Sequence, residues 1–293
     1  MWPAMRTSIF PSLSLCVWQF FLYTWSLFTR ASFAGLALTS CLLGLSGCSA
    51  RVPPSPEEVD ASMATLNWLN QEFGLAENAD LNHLLSGVTK RLADGIYGFA
   101  LEREIGQARA KDFRSYPWQV FVIRNPSPNA FSLGAGAIVL TTGLLAEIHS
   151  EAELASIISH EMSHHILGHT TQAISRMRLS TAQAPELTFS LNDEVDADTL
   201  GLKLLFVARY DPRHATQALT IPYRPLRENV SHERGVYSRA GYNSVSYYGA
   251  SVPPDWLRER MANIQHCLEE YPVYVPATQN SRDFYRAWQH LPS

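Results

Sequence analysis

Cysteine is scarce in this chain, which excludes a fold held together by disulfides. The sequence has 293 residues and four cysteines, and three of these lie within residues 1–48. Cys16 and Cys41 lie in a segment typical of a removed signal, and Cys48 is expected to be modified, so Cys267 remains without a partner for an intramolecular disulfide. The stretch around Cys267 is amphipathic, and we interpret this cysteine as a buried helix residue.

An excess of basic residues is also absent. Lys and Arg number 23 against 27 Asp and Glu, a net charge of −4. With no basic stripe, nucleic acid is not an expected partner. No tetratricopeptide-like repeat is present either. The part after residue 48 is long enough for one domain with a real core.

The N-terminal segment is typical of a bacterial lipoprotein signal. Arg30 precedes an apolar run of signal-peptide length that ends in LSGC at residues 45–48. This matches the lipobox of bacterial lipoprotein signals. Such signals are cut before the cysteine, here Cys48, which is then acylated. Several acyl chains anchor a protein stably. A transmembrane anchor is the alternative, which the small residues before Cys48 disfavour. Residues 1–29 are aromatic-rich, and we interpret them as a mis-assigned start; the alternative is that the apolar run 17–28 extends the signal.

The residues after the signal predict a location and a tether. Ser49 stands where an aspartate would favour retention at the inner membrane, so we expect the outer membrane, facing the periplasm. Residues 49–56 contain three prolines and predict a short, stiff tether. We place the folded domain at 57–275 and a C-terminal tail at 276–293.

Two histidines one helical turn apart form the most informative motif. Residues 160–164 are HEMSH, and residues four apart differ by about 40° around a helix, so His160 and His164 point the same way. Two imidazoles on one face supply half of a tetrahedral zinc site. Glu161 can take a proton from a water activated by the metal. The alternative is a helix that carries these residues by chance.

The motif lies in a segment with strong helix signals. Ser150 and Glu153 form a capping box, which predicts a helix start at about residue 151. Apolar residues then follow with helical spacing and predict one buried face; they are Leu154, Ile157, Ile158, Met162, Ile166 and Leu167. We expect packed or solvated roles for the other histidines of this segment, since the helical positions of His165 and His169 face away from His160.

A zinc ion that keeps a water needs a third protein ligand. Residues 192–201, NDEVDADTLG, predict a second helix with Asn192 or Asp193 near its cap. Glu194 would ligate zinc, and Asp198, one turn on, would hydrogen-bond the free ring nitrogen of a zinc histidine. The alternative is that these acids only stabilise the helix N-terminus, which is the role that we infer for Asp193 and Asp196.

Three motifs together resemble a known family. In chain order they are segment 129–145, which begins with NAF, then HEMSH at 160–164 and E-x-x-A-D-x-x-G at 194–201. They are similar to zinc endopeptidases related to the CAAX prenyl protease, the HtpX heat-shock protease and the mitochondrial Oma stress protease. The soluble periplasmic lipoprotein members in bacteria are the most similar. The resemblance covers about residues 60–270.

This resemblance implies a gluzincin site. One zinc per chain would be bound by His160, His164 and Glu194, and Glu161 would act as the general base.

The family pattern also has a histidine–proline pair followed by an arginine. The histidine position is Val252 here, which puts self-inhibition by such a histidine in doubt. The arginine maps to Arg260, or to Arg258 in an alignment without a gap. The resemblance implies that it helps to stabilise an oxyanion, and we assign this role to Arg260. A surface arginine is the alternative.

The remaining pattern predicts an α+β fold, a mostly helical zincin-type domain with a small sheet beside the active-site helix. Strands are expected at 118–123 and near 137–141, with Gly134 and Gly136 flanking the start of the second. An exposed edge there could pair with an extended substrate. The alternative for the glycines is turn chemistry.

Helices and loops are expected in the rest of the chain. The helical stretches are 56–73 and 80–110. Residues 170–189 are expected to be a helix end and a loop. The long loop 222–254 is a candidate gate over the cleft, and the aromatic last twenty residues are a candidate docking helix.

The resemblance and the compartment together imply a membrane-anchored zinc endopeptidase. Its substrates would be misfolded or misassembled envelope proteins. The alternative is a non-catalytic or self-blocked lipoprotein chaperone or assembly factor with a zinc site. Glu161 argues against it, because a purely structural site needs no general base. A zinc amidase acting on the cell wall is a weaker alternative.

Overall fold

The computed structural model describes residues 54–96, 105, 112–179, 189–221, 254–270 and 280–291. The predicted signal, the tether up to residue 53 and most of the loop 222–254 lie outside these ranges. Within them, no helix is both long and apolar enough to cross a membrane.

The described residues form a mostly helical α+β fold. Its helices are α1 (Pro56–Phe73), α2 (Ala79–Gly95), α3 (Thr142–Glu147), α4 (Glu151–Ile166), α5 (His169–Leu179), α6 (Leu191–Val207), α7 (His214–Thr220), α8 (Pro254–Glu270) and α9 (Arg282–Gln289). The strands are β1 (Gln119–Ile123), β2 (Ala130–Gly134) and β3 (Ala137–Thr141). The α+β prediction is confirmed.

The sheet has three strands in the order β1-β3-β2. β1 pairs with β3 in parallel, whereas β2 pairs with it antiparallel. Side chains of a strand alternate between its two faces. Ile138 and Leu140 of β3 accordingly belong to the main core with α2 and α4, and Val139 belongs to a second core under α1. The sheet is therefore covered on both faces.

α4 is the central helix of the fold. Its N-cap is Ser150, whose hydroxyl accepts from the Glu153 N–H (3.1 Å), as the sequence predicts. The Glu153 carboxylate accepts in turn from the His149 N–H, one residue earlier than in a standard capping box. Every residue of α4 except His160 is buried, so the prediction of a single buried face was wrong. Neighbours on all sides enclose this helix, including α2, α6, α7 and β2.

The C-terminal helix is held at the start of α4 by a buried carboxylate. Glu151, at 1% exposure, accepts from the Tyr210 hydroxyl (2.8 Å) and the Ser281 N–H (2.9 Å). The Trp288 indole N–H donates to the Ile148 carbonyl (3.0 Å). α9 therefore packs onto the domain, in agreement with a docking helix in the last twenty residues.

We predict that Tyr210→Phe lowers the free energy of unfolding by about 1–3 kcal/mol, because the buried Glu151 carboxylate loses a hydrogen-bond donor. Urea unfolding followed by circular dichroism measures the change. Tyr285→Phe is the matched control, because Tyr285 is 59% exposed. Equal unfolding free energies for Tyr210→Phe and the wild type would contradict this role of the hydroxyl.

Candidate metal centre

The two histidines of α4 project to the same point. His160 and His164 lie one turn apart, and their Nε2 atoms are 3.1 Å from each other. His164 is 1% exposed, and the His160 side chain is 12% exposed. Access to the pair is therefore mainly from the side of His160.

The third side chain comes from α6. Glu194 places Oε2 at 3.4 Å from His160 Nε2 and Oε1 at 3.4 Å from His164 Nε2. The N-cap of α6 is Ser190, not Asn192 or Asp193; Asp193 is the third helical residue and completes a capping box with Ser190.

A glycine allows α6 to cross α4 closely at the site. A Cβ added to Gly201 would lie 3.4 Å from the backbone of His160 and from the Ser159 hydroxyl. Larger side chains at this position would push the two helices apart. The last residue of the E-x-x-A-D-x-x-G motif therefore has a packing role.

The three side chains fit a zinc ion. Bonds of about 2.0–2.1 Å in tetrahedral geometry separate the ligand atoms by about 3.3 Å. The separations among His160, His164 and Glu194 are 3.1, 3.4 and 3.4 Å. Two imidazoles and one carboxylate leave a fourth position open, as in catalytic rather than structural zinc sites. The metal-ligand set predicted from the sequence is thus brought together in space.

The electrostatics of the site favour a positive charge between these groups. Asp198 Oδ1 lies 3.0 Å from His160 Nδ1. Burial alone lowers the pKa of His160, but the carboxylates of Asp198 and Glu194 outweigh burial and raise it to about 10. Burial alone raises the pKa of Glu194, whereas Arg260 and the two histidines bring it well below its usual value. Asp198 therefore takes the supporting position beside a ligand histidine, as its spacing suggests.

Of the two candidate arginines, Arg260 reaches the site. It is 5% exposed, and its Nε and Nη2 atoms donate to the two Asp198 oxygens at 2.8 Å each. Its Nη1 atom lies 2.8 Å from Glu194 Oε2. Arg258 instead pairs with Asp255 in solvent. Arg260 braces Glu194 and Asp198 in this arrangement, and its action on an oxyanion stays a prediction.

Glu161 is buried beside the first ligand. It is 4% exposed. Burial raises the pKa of Glu161 to about 7, a rise that Glu194 reinforces, while His160, Arg260 and the Ser132 N–H act against it. A carboxyl group with a pKa near the working pH is well suited to act as a general base.

Gly134 and Gly136 lie in the tight connection between β2 and β3. Both have positive φ angles, 89° and 82°. The Ser62 hydroxyl of α1 donates to the Gly134 carbonyl (3.2 Å). These glycines therefore have the turn role that the sequence left as the alternative. The strand expected near 137–141 is β3, which is central in the sheet and so has no free edge. The edge strand beside it is β2, whose five residues are all buried and which reaches the site at Ser132, whose N–H bonds to Glu161. Pairing of a substrate with an edge of the sheet stays a prediction.

One residue next to the ligands was missed. His169 was expected to face away from His160 on a continuous helix, which is wrong, because α4 ends at Ile166 and Gly168 has φ 83°. The chain turns there, and His169 Nδ1 lies 3.2 Å from His164 Nδ1. Gly168 is the sequence signal for this helix end. α5 occupies the first part of 170–189, where a helix end was expected, and residues 180–188, where a loop was expected, lie outside the described residues.

His165 has the packed role that the sequence predicts. Its ring lies among those of Phe113, Tyr116 and Trp118, and burial lowers its pKa to about 4. It therefore stays neutral at physiological pH. Cys48 and Val252 lie outside the described residues.

Comparisons with known proteins agree with this geometry. The model of peptidase family M48 matches residues 101–184. The mitochondrial metalloendopeptidase OMA1 of Schizosaccharomyces pombe is 30% identical over 214 residues, which are 66% of this chain and 57% of that protein. A putative beta-barrel assembly-enhancing protease of Vibrio cholerae is 27% identical over 189 residues, 56% of this chain and 37% of that protein.

A third relative matches over a shorter segment. A protease HtpX homolog of Acidiphilium cryptum is 52% identical over 52 residues, 16% of this chain and 18% of that protein. The chain thus spans less than two thirds of the length of each of these curated relatives. The matched family segment contains the histidine helix α4, and over this segment the chain is similar to peptidase family M48.

Proposed function

We propose that the protein is a zinc-dependent endopeptidase that binds one zinc ion per chain. The observation that carries this proposal is the close approach of His160, His164 and Glu194, with the buried Glu161 on the same helix as the two histidines. The match of residues 101–184 to the model of peptidase family M48 supports it.

The residues of the chain divide the chemistry between them. A zinc ion held by the two histidines and Glu194 would polarise the scissile carbonyl and lower the pKa of water in the site to about 7. Glu161 would accept the proton of the attacking water and pass it to the leaving amine. Because Glu161 is shielded from solvent, the proton stays within the site between these steps.

Asp198 and Arg260 would keep this arrangement rigid. Asp198 orients His160 through its Nδ1 atom (3.0 Å). Arg260 contacts both Asp198 and Glu194 and so fixes the two carboxylates relative to each other. Such supporting contacts typically change metal affinity or activity by about 10–100-fold.

We further propose that the protein is an outer-membrane lipoprotein anchored through Cys48 and facing the periplasm. Its substrates would be misfolded or misassembled envelope proteins. The LSGC segment at 45–48 and the prolines that follow it support the anchor. The Vibrio cholerae relative is named for the assembly of beta-barrels, which supports envelope proteins as the substrate class.

We predict that His164→Ala abolishes zinc binding, because it removes a buried ligand. Metal analysis of the purified protein should find about one zinc per wild-type chain and none in the variant. His266→Ala, a change at an exposed residue of α8, should retain the metal. Stoichiometric zinc in His164→Ala would refute the ligand assignment.

We predict that Glu161→Gln keeps zinc and fold but lowers cleavage of casein by about 10²–10⁴-fold, because it removes the base and not a ligand. Glu259→Gln, at an exposed residue, is the matched control and should cleave normally. A clean Glu161→Gln preparation that cleaves at the wild-type rate would rule out this mechanism. Zinc binding without any cleavage by the wild type would favour the chaperone instead.

We predict that Cys48→Ala abolishes fatty-acid labelling and releases the protein from the membrane fraction. Cys267→Ala should leave both unchanged, because Cys267 is buried in the folded domain. An unlabelled wild type would contradict the anchor without touching the proposed chemistry.

A further inference from the structure

The turn after α4 brings a second imidazole against a ligand histidine. α4 ends at Ile166, and the left-handed conformation of Gly168 starts α5 at His169. His169 is 7% exposed, and its Nδ1 atom lies 3.2 Å from His164 Nδ1. This contact lies on the side of the His164 ring opposite to the site.

The two ring nitrogens of His164 have different partners. Nε2 faces His160 and Glu194 in the ligand cluster. With Nε2 as the ligand atom, the neutral ring carries its proton on Nδ1, and this N–H donates to His169 Nδ1, 3.2 Å away. His169 then has its own proton on Nε2, which lies 3.7 Å from Asp193 Oδ1.

Asp193 connects this pair to the helix of the third ligand. Its Oδ2 accepts from the Ser190 N–H (2.8 Å) in the capping box of α6, while its Oδ1 faces His169. Glu194 is the next residue. The contacts therefore connect the ligand His164, through His169, to the start of α6, which carries the third ligand, Glu194.

An aromatic ring shields the contact from solvent. Phe189 stacks on the His164 ring, with 4.0 Å between centroids and an angle of 21° between the planes. Phe189 also lies against His169, at 6.4 Å between centroids. A hydrogen bond between two buried imidazoles is thus protected from exchange with water.

We propose that His169 is a positioning residue that fixes the orientation and tautomer of the His164 imidazole for metal binding. This inference rests on the proposed zinc site. The two ligand histidines are then held in different ways, His160 by the carboxylate of Asp198 (3.0 Å) and His164 by a neutral imidazole.

The test compares variants that lose or keep an acceptor at this point. His169→Phe fills the space without an acceptor. His169→Gln places its side-chain oxygen near the position of Nε2, away from His164. His169→Asn keeps an oxygen close to the place of Nδ1. Thr170→Val is the matched control, because Thr170 is also buried at the start of α5 and its hydroxyl has no hydrogen-bond partner among the described residues.

Zinc affinity of the purified full-length variants is measured by competition with a chelator, and the ligand geometry by the visible absorption of the cobalt-substituted proteins. We expect His169→Phe and His169→Gln to bind zinc about 10–100-fold more weakly, with a changed cobalt spectrum. His169→Asn should recover most of the affinity and the wild-type spectrum, and Thr170→Val should match the wild type.

Several outcomes would overturn the inference. Wild-type affinity in both His169→Phe and His169→Gln would do so, as would a His169→Asn protein as weak as these two. An equal loss in Thr170→Val would show a general disturbance of α5 and would also refute it. A wild type that binds no zinc would refute the proposed function itself, and with it the role of His169.

Discussion

Opposite charges confined to one buried space hold this site together. Glu194, Asp198 and Arg260 are only 2–7% exposed, and they meet where α4, α6 and α8 converge. An unpaired buried charge costs several kcal/mol, so none of these side chains would be stable there alone. The contacts of Arg260 with Asp198 and Glu194 hold α8 against α6 and also fix the carboxylate of Glu194, a candidate zinc ligand. The geometry of the site and the packing of these helices therefore depend on the same contacts.

The local part of the site could be predicted from the sequence. His160 and His164 share a face because they are one helical turn apart, and the same spacing relates Glu194 to Asp198. Such periodicity depends on the backbone of a single helix. Arg260 is different, since it is 62 residues from its partner Asp198. Spacing alone could not choose it over Arg258, because the choice depends on which face of α8 packs inward.

Tertiary structure accounts for what the sequence did not predict. The number of neighbours around α4 cannot be inferred from its own residues, which is why one buried face was expected instead of burial on all sides. β2 was not predicted as a separate strand, since its small residues and Gly134 have weak strand preference; it is stabilised by pairing with β3 and by packing on α4. His169 was misplaced by a single assumption, that the helix continued through Gly168.

The position of Arg260 along the chain has a consequence for shortened forms of the protein. Arg260 lies on α8, whereas Glu194 and Asp198 lie on α6. A chain that ended before α8 would leave these two buried carboxylates without the guanidinium group, which would cost several kcal/mol. The candidate metal site therefore depends on a helix that carries none of its three candidate ligands.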